Sequence, residues 1–179
     1  MSLLVDNQLS LPQFADTVQE YCLFIESFSD GRPAGMYTTL ELLLARIHSG
    51  VLPIIAQVND KENLKLECCG EMTHEQWLEM ATLIQDVTAD DRSELVGRQL
   101  ELSYGEYDDD VSRVDLLWDD LADIYRDLQH GLIQWNIQSV ESKVAASWQW
   151  RFNFEAHWGS HLARATLTVH EMRYQLYRD

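Results

Sequence analysis

Three cysteines, three prolines and thirteen basic residues are few for a chain of 179, and each scarcity removes a class of protein. Cys22, Cys68 and Cys69 are too few and too poorly spaced for a disulfide framework. Adjacent thiols rarely bond each other because the geometry is strained. No further ligands lie near Cys68 and Cys69 at the spacing a zinc site needs. They read as reduced, structural residues. The eight glycines are scattered, so no Gly-rich loop cradles a phosphate. Basic residues are outnumbered by 30 Asp and Glu, for a formal net charge of −17. Such a surface repels phosphate backbones and anionic lipid, so neither a nucleic acid nor a membrane is an expected partner. The first basic residue is Arg32, which leaves no basic segment ahead of an apolar one as a secretory signal has. Leu42-Leu43-Leu44 and Leu52-Pro53-Ile54-Ile55 fall far short of the roughly 20 apolar residues that span a bilayer. A cytoplasmic location is the expectation.

What the chain does have is core material. Its apolar share is 46%, with six Trp, seven Tyr and five Phe. A chain this long hides roughly 70% of the surface its unfolded form exposes, enough for a core without staples. Strand-like alternation is missing, and helical spacing recurs throughout. The expected architecture is all-α, one domain over 1–179, a bundle of about five to six helices. Phe14, Val18, Tyr21, Ile25 and Phe28 step by four and three and define a first helix ending near Ser29-Asp30-Gly31. Leu40, Leu43, Leu44, Ile47 and Val51 define a second, which Gly50 and Pro53 should stop. Residues 59–71 read as a connection. Thr73 with Gln76 is a capping box for a third helix, with Trp77, Ala81 and Ile84 inside. A break at Thr88 should separate it from another helix over Asp90–Leu102, and Tyr104 to Asp110 reads as an acidic turn.

The last third is periodic over two long segments, about 111–137 and 140–176, expected to be antiparallel neighbours. Val114, Trp118, Leu121, Tyr125, Leu128, Leu132 and Trp135 form the inner stripe of the first. Gly131 interrupts it, tolerably if another backbone packs close. Val144, Trp148, Phe154, Trp158, Leu162, Ala165, Val169, Met172 and Leu176 mark the second.

Chemically costly residues concentrate on these two segments. Asp120, Asp123 and Asp127 form a stripe beside the apolar face, where like charges four apart repel. On the other segment, Arg151 and His161 fall on the apolar face and His157 at its edge. A buried guanidinium needs a partner, so Arg151 is expected to pair with Asp120, Asp123 or Asp127. His157 and His161, four apart, can face one ion. With Asp120 and Asp123 they make a donor set suited to zinc, iron or manganese, able to activate water for hydrolysis. Against this stands a structural network of hydrogen-bonded core residues. No motif calls for a cofactor, and a divalent metal is the single candidate.

The string from Asp119 through Leu128, then Gly131-Leu132, then Trp150-Arg151-Phe152 through His157-Trp158-Gly159-Ser160-His161 resembles a family of uncharacterised bacterial proteins, domain of unknown function 5063. The resemblance covers roughly residues 112–170. It implies a helical fold of about this length and carries over no catalytic residue. Three functions remain open on the residues alone: a non-enzymatic interaction or accessory domain of the bacterial cytosol with a protein partner, a metal-dependent hydrolase of nucleotides or phosphoesters built on the Asp/His cluster, and an acidic decoy of nucleic acid.

Overall fold

A computed structural model describes residues 10–57, 72–97 and 113–176. The expected connection at 59–71, Cys68, Cys69 and the acidic turn Tyr104 to Asp110 lie outside these residues. The side chains of Val114 and Leu176 are likewise not described.

Helix α1 (Leu11–Glu26) opens where Ser10 N–H donates to Gln13 Oε1 at 2.8 Å, satisfying a donor the first turn would leave orphaned. Its stripe Phe14, Val18, Tyr21 and Ile25 is fully buried, and Phe28 continues it into a 3₁₀ turn, Ser27–Asp30. Gly31 ends that turn at φ 101°, a conformation that favours glycine.

Helix α2 (Met36–Gln57) runs through both expected stop signals. Pro53 lacks the N–H for one helical bond, a cost of about 3 kcal/mol. Val51, Pro53 and Ile54 are all buried there, and the packing offsets the lost bond. By length and composition Met36–Ile55 could cross a membrane, yet Leu40, Leu44 and Ile47 pack into the core against α1 and the last helix.

Helix α3 (His74–Gly97) starts at the expected capping box: Thr73 N–H donates to Gln76 Oε1 at 2.9 Å, and Gln76 N–H to Thr73 Oγ1 at 3.2 Å. The expected break at Thr88 is absent. Thr88 Oγ1 bonds back to the Ile84 carbonyl at 3.0 Å and keeps its place in the helix. The expected separate helix from Asp90 is therefore the continuation of α3, and residues 98–102 lie outside the description.

Helix α4 (Arg113–Asn136) is the hub, packing against α1, α3, α5 and α6. Gln138, at φ 67°, turns the chain, and Ser139 caps α5 (Val140–Asn153) by accepting from Ser142 N–H. A π segment (Phe154–Trp158) then joins α5 to α6 (Gly159–Leu176), so the chain from Val140 to Leu176 is one helical rod. It returns antiparallel along α4: Trp150 lies on Gly131, His157 beside Asp127, and His161 beside Asp120. Among the described residues every regular element is helical.

The π segment explains where the helical wheel misplaces side chains. Gly159 N–H reaches the Phe154 carbonyl five residues back, which inserts one residue into the turn. Trp158, Leu162, Ala165, Val169 and Met172 are buried as their spacing predicts. Before the segment the inner face is shifted by one residue. Ala145, Ala146 and Trp150 are buried, while Val144 is exposed and Trp148 only half-buried. Trp150 thus takes the inward place expected for Arg151. Gly131 is required because a Cβ there would lie 2.1 Å from Trp150 Nε1. An indole ring, rather than a backbone, makes the close approach. That indole donates to the Leu128 carbonyl at 3.0 Å.

Candidate metal centre

Asp120, Asp123 and Asp127 recur at three and four residues on α4, so one helical face presents all three to α6. All are buried, Asp120 to 1% exposure. A buried carboxylate is costly unless paired and hydrogen-bonded, and each has partners from neighbouring elements. Asp120 accepts from Arg164 Nη2 at 2.6 Å and from Arg164 Nε at 3.1 Å, and its Oδ1 lies 2.8 Å from His161 Nδ1. Asp127 Oδ2 lies 2.7 Å from His157 Nδ1. Asp123 Oδ1 accepts from Trp77 Nε1 on α3 at 3.0 Å and pairs with Arg126 Nη2 at 3.0 Å.

Asp123 Oδ2 is different. His157 Nε2 stands 3.6 Å from it and His161 Nε2 3.5 Å, both beyond a good hydrogen bond. One donor atom from each of the three residues falls within 4.8 Å of the others. A tetrahedral ion bound at ~2.05 Å separates neighbouring ligand atoms by ~3.3 Å, so the spacing suits a shared cation better than direct bonds. With its Nδ1–H donating to Asp127, His157 turns its Nε2 lone pair toward Asp123. His161 Nδ1 lies 2.8 Å from Asp120 Oδ1 and 2.9 Å from the donor Arg164 Nη2, so the tautomer of His161 sets whether its Nε2 offers Asp123 a lone pair or a proton. Carboxylates behind the imidazoles are the outer partners that orient histidine ligands. His161 is largely enclosed, whereas the His157 side chain is 39% exposed and leaves one side of the group open to solvent.

Asp119 lies beside this group, and Asp119, Asp120 and His161 form a second set of donor atoms within 4.8 Å. Partial burial and the neighbouring Asp123 charge raise the Asp119 pKa above the ordinary carboxylate value. Crowded carboxylates of this kind gain from a divalent cation.

The structure therefore brings together Asp120, Asp123, Asp127, His157 and His161, with Arg164 hydrogen-bonded to the Asp120 carboxylate. Arg151 is not their partner. Half-buried on the near side of the π segment, it pairs with Glu155 at 3.7 Å on its own helical rod. The residues that sequence reasoning missed are Arg164, Arg126 and Trp77. Arg164 sits three residues beyond His161, a spacing that shares its face, and that was the available signal. Trp77 carried none, because its meeting with Asp123 depends on how α3 docks on α4.

A family model described as Domain of unknown function (DUF5063) matches residues 6–175. Among solved structures, the crystal structure of protein BF1032 from Bacteroides fragilis is similar to this chain, with a TM-score of 0.66 and 18% identity over 90% of each chain. At that identity the likeness concerns the fold. No curated protein matches the chain.

Proposed function

We propose that this chain, which belongs to the DUF5063 family, binds one divalent transition-metal ion through Asp123, His157 and His161 and uses it in a hydrolytic reaction. The observation that carries the reading is the convergence of two Nε2 atoms on Asp123 Oδ2 at 3.5 and 3.6 Å, each imidazole backed by a carboxylate. Two imidazoles and a carboxylate suit Zn²⁺, Fe²⁺ or Mn²⁺. Three protein ligands with a solvent-facing side are the mark of a catalytic rather than a closed structural site. The ion would supply a Lewis acid and a water of lowered pKa. The protein's part is orientation: Asp127 holds His157, Asp120 and Arg164 hold His161, and Trp77 with Arg126 fixes Asp123.

Titration calorimetry of chelator-treated protein tests this. One equivalent of Zn²⁺ or Mn²⁺ should bind, be lost in the His157→Ala/His161→Ala pair, and weaken by about 10–100-fold in Asp127→Asn. No stoichiometric binding and an unmoved Tm would remove the metal. Hydrolysis of p-nitrophenyl phosphate no faster than by the histidine pair variant would remove the phosphoesterase.

A second reading, an interaction domain without chemistry, is favoured by the outer face of α5. Val140, Val144 and Phe152 are exposed there, and Trp148 stacks on Phe152 at 4.8 Å.

A further inference from the structure

We propose that the cleft between α3 and α4 is a second ligand site, for a small organic cation with an apolar body. The cleft encloses about 530 Å³, within the range that holds small molecules. It opens on another side of α4 from the metal centre, because Tyr125 and Gln129 stand about 120–160° around the helix from Asp123 and Asp127, with Trp77 of α3 between the two. This inference therefore stands apart from the metal reading.

The lining selects the ligand by charge and shape. Met72, Met80, Leu83 and Ile133 supply an apolar, adaptable wall. Glu79 brings the one charge among the described lining residues, a carboxylate at the exposed rim. Behind the wall, Tyr125 O–H donates to Glu26 Oε1 at 2.8 Å, so its oxygen accepts from Gln129 Nε2 at 2.9 Å. That chain holds the Gln129 amide by its Nε2, and the amide's carbonyl oxygen is the acceptor this cleft-lining residue has to offer. A carboxylate, an amide oxygen and a methionine-rich wall complement an ammonium group on a short hydrocarbon. They repel a carboxylate of the same size.

The test uses the full chain with ¹³C-methyl methionine and three probes of equal length: hexylammonium, hexanol and hexanoate. Hexylammonium should shift the Met72 and Met80 methyl resonances saturably, leaving the buried Met36 and Met172 in place. Hexanoate should bind about tenfold more weakly, and Glu79→Gln, an exposed change, should shrink that gap. Still Met72 and Met80 resonances with hexylammonium would overturn the site. Equal binding of hexanoate, or an unchanged gap in Glu79→Gln, would overturn the cationic ligand. Chelator-treated protein should behave the same, so a failed metal centre leaves this outcome readable.

Discussion

Two sides of α4 face inward and are built on opposite chemistry, one sealed and the other open to solvent at His157. Toward α1 and α2 the interior is dry. Phe14, Val18, Ile25, Leu40, Leu44 and Ile47 have no exposed surface, and Phe14 meets Trp150 edge to face at 5.2 Å. Its few polar groups are spent at once, as where Tyr21 O–H donates to the Leu121 carbonyl at 3.0 Å. Burial even raises the Tyr21 and Cys22 pKa values, which keeps both uncharged. Toward α6 the same helix buries three carboxylates among arginines and imidazoles. Dry packing stabilises in proportion to area. A buried ion network is often no better than the apolar residues that would fill its place. The proposed metal centre would give the second side a use other than stability, and substitutions on each side separate the two.

The largest effect should come from the dry side. Phe14→Ala is expected to cost about 3–5 kcal/mol in urea unfolding while leaving Zn²⁺ affinity unchanged. A lost metal site in a folded variant would tie the two sides together and break the contrast. Next comes the polar seam. Asp120→Asn leaves Arg164 and His161 without their carboxylate and should cost on the order of 3 kcal/mol. Replacing the whole set, Asp120→Leu with His161→Leu and Arg164→Met, should recover most of that loss yet abolish metal binding. Failure to recover would mean that the network itself holds the fold.

The smallest effect is expected at the surface. Glu41 on α2 joins His170, 2.8 Å away, and Arg173 on α6. Hydrogen bonds from His170, and then Arg173, hold its pKa below the ordinary carboxylate value. A carboxylate so depressed stabilises above its unfolded pKa, and the contribution fades as pH falls through the folded one. Glu41→Gln should cost on the order of 0.5 kcal/mol at neutral pH. The melting temperatures of the two proteins should converge in acid.

The dry side was almost wholly legible in the sequence. The stripe from Phe14 to Phe28 reads directly because burial there follows one uninterrupted helical period. Pro53 and Thr88 misled because local signals for ending a helix were outweighed by the packing of Val51 and Ile54 and by the Thr88 back-bond. At the polar seam, the spacing of Asp120, Asp123 and Asp127 and of His157 and His161 was visible. The choice of arginine was not. Arg151 and Arg164 lie on opposite sides of the π segment, and a constant 100° step carried across it turns the first inward. Trp77 required knowledge of how α3 meets α4, which no local pattern holds.

The wide turn at Phe154–Trp158 lets the helical rod carry one residue more than a regular helix with the same facing. Gly159 leaves no room there, since a Cβ would stand 2.4 Å from the Phe154 carbonyl oxygen. Were Glu155 or Ala156 deleted, the helix would close to its regular pitch with Trp150 still on Gly131 and the imidazoles still toward Asp123. A further inserted residue, or closure of the wide turn at unchanged length, would instead turn the two ends apart by about 100°. Homologues should carry either this length with the wide turn or one residue fewer with an unbroken α-helix.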